Sequence, residues 1–245
     1  MATLFHKIKK AISRPKLIRV WFYDNIVERI NIFKKSYKWG KSDSRIERKI
    51  YKNYSDYIAH QGAKLDTMDL TDYDEKYYKI LNERLKSFAQ KNIVRHGAVV
   101  LCLAARIGTE VRVFLNYGCF AVGIDLNPGK GNKYVLHGDF HNIQFPDASV
   151  DVIFSNSVDH ALNLLKLAGE VRRVLKPGGH IILEIGKGTD EGGKFGYYEA
   201  STWRKIDDCL DYFKNLGFTV LERHGFDWPW PGEQVMLQKQ KLTNE

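Results

Sequence analysis

Between residues 98 and 185 five short apolar runs recur at nearly even intervals: AVVLCL at 98–103, FAVGID at 120–125, KYVLHGD at 133–139, VDVIFS at 150–155 and HIILEI at 180–185. Continuous apolar strands belong to sheets covered on both faces, and strands alternating with helices build a parallel α/β sheet. One intervening segment, ALNLLKLAGEVRRVL, sets Leu164, Leu165, Ala168, Val171 and Leu175 on one helical face and is stopped by Pro177, Gly178 and Gly179. A further helix starts at Ile206 and ends by Gly217. FTVLE at 218–222 and QVMLQKQ at 234–240 then flank the turn WPWPGE, which predicts an antiparallel hairpin at the end of a doubly wound, mostly parallel sheet of seven strands.

The charge divides the chain in two. Residues 1–60 hold 15 Lys or Arg against 5 Asp or Glu, whereas residues 61–245 hold 23 against 24, so the whole net charge of +9 originates in the first quarter. Residues 1–73 are expected to form a basic, aromatic and mainly helical extension, and residues 74–245 the α/β domain. At the start of that domain DEKYYKILNERLKSFAQ places Tyr77, Ile80, Leu81, Leu85 and Phe88 at helical spacing, with Asp72 or Asp74 as its cap. The apolar runs fall far short of the ~18 residues of a membrane span, and the amino terminus has no hydrophobic signal core. Cys102, Cys119 and Cys209 form no CxxC pair and sit in no metal-ligand spacing, so neither a metal site nor a disulfide framework is expected. The composition reads as cytoplasmic.

In open α/β sheets ligands bind beyond the carboxyl ends of the strands, and three residues arrive there in succession. Gly108 turns the chain after the first strand, Asp125 ends the second 17 residues later, and Asp139 closes the third in Gly-Asp-Phe. A carboxylate at the second strand end accepts from both hydroxyls of a ribose, and one at the third accepts from an adenine amino group while Leu126 or Phe140 packs on the base. Taken singly, each of these residues is as well explained by an ordinary turn or cap; their convergence carries the reading.

The ordered set VVLCLAARIGTEV, GIDLNPG, GDFHNIQFPDASVDVIFSN and EVRRVLKPGGHIILEI resembles the successive motifs of class I S-adenosylmethionine-dependent methyltransferases, over about residues 75–240. The resemblance implies a Rossmann-like fold, S-adenosylmethionine as cofactor, and an enzyme that methylates an acceptor. It further implies that Ala104, Arg106, Gly108, Asp125, Leu126, Asp139, Phe140, Asn156 and Ser157 form the cofactor site. The family's loop of acid and three alternating glycines appears here as Cys102, Ala104, Arg106 and Gly108, leaving one glycine. Arg106 is then either a guanidinium for the cofactor's carboxylate or an exposed residue of a rebuilt loop.

His160, the only histidine in SNSVDHALN, is the candidate general base, set against a structural histidine; Glu184 is a second candidate. GKGTDEGGKFGYYEASTW reads as an acceptor lid or as a plain solvent loop, and Trp228 and Trp230 as local packing rather than a ligand platform. The expected acceptor presents oxygen or nitrogen, on a glycan, glycolipid or other small molecule. The basic stretch 1–60 suits an anionic membrane surface and peripheral attachment there, or is equally a solvated helical arm; nucleic acid is less favoured because no recognition motif accompanies the charge, and a targeting peptide is opposed by the many lysines and few serines. The competing reading is a non-catalytic methyltransferase-like binding or scaffold protein. A nicotinamide oxidoreductase is disfavoured, since no GxGxxG opens the first helix.

Overall fold

A computed structural model describes residues 37–64 and 70–241. The first 36 residues of the basic extension, and with them most of the expected membrane-facing surface, lie outside the described residues.

Seven strands form the main sheet: β3 (Val99–Leu103), β4 (Phe120–Asp125), β5 (Val135–His137), β6 (Val150–Ser155), β7 (Leu175–Gly186), β9 (Phe218–Phe226) and β10 (Gly232–Lys239). Their order is β5-β4-β3-β6-β7-β10-β9. The pairs β3–β4, β4–β5, β3–β6 and β6–β7 are parallel, and β10 pairs antiparallel with both β7 and β9. The terminal hairpin therefore lies as the sequence predicts. The order reverses at β3, where β4 leaves to one side and β6 to the other, and this switch point places the carboxyl ends of β3, β4 and β6 around one crevice.

The pleat sorts side chains onto two faces. Val100 and Cys102 of β3, Val152 and Phe154 of β6, and Met236 of β10 point into one apolar cluster, where Tyr77, Leu81, Leu85 and Phe88 of helix α2 (Thr71–Gln90) cover them with Phe114 of α3 (Thr109–Asn116). Leu101, Leu103, Ile153 and Leu183 point to the other face, under Val171 of α4 (Leu164–Val174) and Leu210 and Phe213 of α5 (Ile206–Lys214). Side chains at i and i+4 share a face of a helix, which is why 77, 81 and 85 are all buried. Asn163 caps α4 by accepting from the Lys166 N–H at 3.0 Å.

Two local readings are corrected. Neither Asp72 nor Asp74 caps α2: its N-cap is Leu70, and the Asp74 carboxylate instead accepts from Thr109 Oγ1 and Arg112, binding α2 to α3. The described part of the extension is not wholly helical. It contains a hairpin, β1 (Trp39–Lys41) with β2 (Ile46–Lys49), followed by α1 (Tyr54–Gly62). The Asp43 carboxylate closes the hairpin turn by accepting from the backbone N–H groups of Arg45 and Ile46. β2 then pairs antiparallel with β8 (Ser201–Trp203), so this segment finds its strand partner more than 150 residues along the chain. Through that second sheet, residues 37–64 are laid across the carboxyl edge of the main one.

Candidate functional site

The loop from β3 into α3 retains a glycine-like path with only one glycine. Ala104, Arg106 and Gly108 all have positive φ, at 52°, 47° and 84°. Left-handed backbone costs an L-residue roughly 1–2 kcal/mol, so Ala104 and Arg106 hold a shape that the side chains oppose. Asp125, at the end of β4, braces it: Oδ2 accepts the Arg106 N–H at 2.9 Å and Oδ1 the Asn127 N–H at 2.7 Å. Gly108 is the N-cap of α3, and a Cβ there would stand 2.7 Å from Cβ of Tyr134. Its contribution is close approach to the next chain segment rather than a place in the cavity wall.

Two adjoining cavities open at the strand ends. The wide one holds about 860 Å³, within the range of ligand pockets. Its walls come from the 104–110 loop, Asn156–His160, Tyr73 of α2, the segment 186–199 and the Trp228–Pro231 turn. The narrow one holds about 40 Å³, room for a water molecule or so, and is bounded by Tyr57, Asp125, Leu126 and Phe140. Lys64, Ala104, Arg106, Ser157 and His160 line both.

Of the expected cofactor residues, Ala104, Arg106 and Ser157 stand at the junction, Asn156 in the wide cavity, and Asp125, Leu126 and Phe140 in the narrow one. Asp139 lines neither. Its carboxylate accepts from Tyr54 Oη at 2.5 Å, from the His141 N–H at 2.8 Å and from His141 Nδ1 at 3.1 Å. Burial would raise its pKa, but the hydrogen bonds from His141 and Tyr54 prevail and hold it below the ordinary carboxylate value. Asp139 thus ties α1 to the body of the protein.

His160 is in the cavity wall with both ring nitrogens engaged. Nδ1 lies 3.0 Å from the Tyr198 carbonyl, which only accepts, so the ring proton resides there; Nε2 then accepts from Lys64 Nζ at 2.7 Å. Burial, reinforced by the charges of Lys64 and Arg106, holds the imidazole pKa well below its usual value. This arrangement corrects the expectation of a general base, because the lone pair that would take a proton faces a cation. Around it, donor atoms of Asp159, His160 and Glu199 lie within 4.8 Å of one another, a set able to hold a cation. Burial and the neighbouring Glu199 raise the Asp159 carboxyl to about 7. Burial lowers Lys64 to about 8, with the charge of Arg106 adding to it and Asp159 opposing.

Glu184, the other candidate base, is closed off: it accepts from Arg84 and Tyr77 Oη, both at 2.7 Å, and from Gln234 at 3.1 Å. Trp228 and Trp230 stand in the wall of the wide cavity, and Gly186, Lys187, Gly192–Phe195 and Glu199 place the glycine-rich segment along its rim. Lys64, Glu110, Asp159 and Glu199 were not singled out by the sequence. Lys64 and His160 are 96 residues apart, and no spacing rule joins them.

A family model described as a methyltransferase domain matches residues 101–183. Sterol 24-C-methyltransferase of Gibberella zeae is 24% identical over 217 residues, covering 70% of this chain and 55% of that protein. Sterol 24-C-methyltransferase of Eremothecium gossypii is 32% identical over 102 residues, 35% of this chain and 27% of that protein. The matches thus span about half of one curated relative and about a quarter of the other. Among solved structures, 1,6-didemethyltoxoflavin-N1-methyltransferase of Burkholderia thailandensis, with bound S-adenosylhomocysteine, superposes with a TM-score of 0.61 at 12% identity. It covers 83% of this chain and all of that one. An S-adenosylmethionine-dependent methyltransferase of Methanosarcina mazei gives 0.50 at 16% identity, covering 62% and 97%. At these identities the superpositions speak for the fold alone. Residues 101–183 thus match a methyltransferase-domain model, and the sheet that carries them has the fold of the class I S-adenosylmethionine-dependent methyltransferases.

Proposed function

We propose that this chain transfers the methyl group of S-adenosylmethionine to an oxygen or nitrogen of a small molecule, a glycan or a glycolipid. The supporting observation is the 104–108 loop, which keeps its left-handed turns with a single glycine and is pinned by Asp125 at the mouth of a cavity of about 860 Å³. The sulfonium supplies an activated methyl group, so the protein's part is chiefly alignment.

The residues present fit that group unevenly. At the amino-acid end, Asn156, Glu110 and the Arg106 guanidinium offer polar contacts in an open cavity. At the nucleoside end, Asp125, Leu126 and Phe140 line a space of about 40 Å³ whose wall also includes Lys64 and Arg106. Both are long, flexible side chains, and a nucleoside enters when they swing toward the wide cavity. Each oxygen of Asp125 accepts one backbone N–H and keeps a lone pair for a ribose hydroxyl. The acceptor then occupies the space between Tyr73, Phe195 and Trp228, whose rings suit an apolar face. With His160 neutral and facing Lys64, Asp159 is the group in this wall best placed to take a proton from the acceptor.

Titration calorimetry of S-adenosylhomocysteine into the protein tests the reading, followed by transfer of an isotopically labelled methyl group to a panel of alcohols, amines and glycans. The narrow nucleoside end favours a second reading, a scaffold that retains the fold without the chemistry, and a silent titration would establish it. Among the described residues no helix is long and apolar enough to cross a membrane. Attachment through residues 1–60 is a further part of the proposal, and sedimentation with anionic vesicles, compared with neutral ones, decides it.

A further inference from the structure

Glu110 sits in the first turn of α3, in the wall of the wide cavity, and is 7% exposed. Its Oε1 accepts from Asn156 Nδ2 at 2.9 Å, but Oε2, sealed from water, has no hydrogen-bond partner among the described residues. An anion so placed is costly unless a positive group meets it. Glu184, across the same apolar neighbourhood, has Arg84 for that purpose; Glu110 has no ion pair among the described residues.

The groups that act on Glu110 come from each element packed against it: Arg106 on its own loop, Asn156 after β6 and Glu184 of β7, while Tyr73 and Tyr77 of α2 and Cys102 of β3 feel its charge in turn. Arg106 is the one cation in that set, and it lines the same cavity. A carboxylate and a guanidinium beside each other in one wall match the two charges of an α-amino acid.

We propose that Glu110 is the receptor for a ligand's ammonium group, completing with Arg106 a subsite for the α-amino-acid end of the adenosyl cofactor or of an amino-acid acceptor. This deepens the methyltransferase reading and rests on it. Cys102, wholly buried in β3, brings no charge to the cavity, whereas Glu110 stands in its wall beside Arg106. Oε2 is covered in the structure, so the ammonium meets it when the carboxylate turns toward the cavity, with Asn156 still donating to Oε1.

Burial raises the Glu110 carboxyl to about 7, so an arriving ammonium displaces a proton. The test is calorimetry on the full chain at pH 7, in two buffers of different ionisation enthalpy, using S-adenosylhomocysteine and its analogue with hydrogen in place of the amino group. The wild-type protein should prefer the amine on the order of tenfold or more and release a fraction of a proton on binding it. Glu110→Gln, which keeps the bond to Asn156, should bind the two ligands alike and release none. If the cofactor's amine is not the source, both proteins show no preference, and n-butylammonium binds the S-adenosylhomocysteine-loaded wild type but not loaded Glu110→Gln. S-adenosylhomocysteine binding with neither effect dependent on Glu110 overturns the inference and leaves the methyltransferase reading standing. If S-adenosylhomocysteine does not bind the wild type at all, that reading fails first, and n-butylammonium titrated into the unliganded proteins decides the inference alone: equal or no binding to both overturns it.

Discussion

Two buried glutamates show how much of this site depends on partners rather than on burial. Glu184 is surrounded by Arg84, Tyr77 and Gln234, so removing the arginine strands a charge in a low-dielectric interior. Arg84→Met should therefore cost about 3–5 kcal/mol, seen as a fall in Tm of roughly ten degrees at about 2–4 °C per kcal/mol. Glu110 has no such ion pair among the described residues. Its folded pKa lies above the unfolded value, so the folded state binds the extra proton, and stability declines as pH rises from about 4.5 to about 7. The loss amounts to at most roughly 3–4 kcal/mol. Glu110→Gln lacks that part of the pH dependence, and urea titrations at pH 5 and pH 8 should show a smaller difference in the variant than in the wild type. Neither environment was legible in the sequence. HIILEI marked Glu184 as a strand end and therefore a candidate base, but nothing near it in the chain announced an arginine 100 residues away. Glu110 looked like an ordinary residue of a first helical turn. His160 was found because SNSVDHALN contains a single histidine; its tautomer and its lysine neighbour depend on contacts that only folding creates.

At the scale of elements the loop between β3 and α3 gives the sharpest contrast. Gly108→Ala would put a Cβ 2.7 Å from Tyr134 Cβ at φ 84°, and overpacking added to left-handed strain should cost on the order of 2–4 kcal/mol. Ala104→Gly relieves strain at φ 52° while loosening the unfolded chain, so its net effect should be a gain within about 1 kcal/mol. Denaturant midpoints of the two variants measure both, and a loss of more than 1 kcal/mol in Ala104→Gly would show that the loop tolerates its non-glycine residues without strain. Strands and helices of the main sheet were legible because each carries its own period: four continuous apolar runs of β3, β4, β6 and β7, and the 77-81-85-88 stripe of α2. The hairpin at residues 39–49 was not. Only Ile46 and Lys49 of β2 are buried, too few to show an alternation, and what holds the strand is its pairing with β8. Helix caps failed for a related reason, since Asp74 had a tertiary use in binding Arg112 that outweighed its local one.

The molecule as a whole is a seven-stranded sheet covered on both faces, with a second layer of residues 37–64 crossing the carboxyl edge. The two parts are held by different numbers of bonds. The central strands sit between fully buried clusters, whereas the second layer is joined by three residue pairs between β2 and β8, by Asp43 and Arg45 to α5, by Lys49 to the carbonyls of Gly196 and Tyr197, by Asn127 to the Gly62 carbonyl and by a few side chains of α1. Those side chains are Tyr54 to Asp139, Tyr57 to the His160 carbonyl at 3.0 Å and Gln61 to the Tyr198 carbonyl at 2.8 Å. Local opening free energies follow such differences, so the amides of α1 should exchange with solvent through an opening smaller than global unfolding, while those of β3 and β6 exchange only with the global event. Tyr57 and Gln61 of α1 themselves line the narrow cavity, and entry of a nucleoside there requires Lys64, just beyond α1, to move. A ligand that binds at 100 times its Kd stabilises the folded state by about 2.7 kcal/mol. If it binds between the two layers, that protection should appear in α1 and β8 as well as in the central strands. Hydrogen exchange with and without S-adenosylhomocysteine reads the distribution directly: protection confined to the central strands, with α1 unchanged, would mean that the second layer takes no part in holding the cofactor.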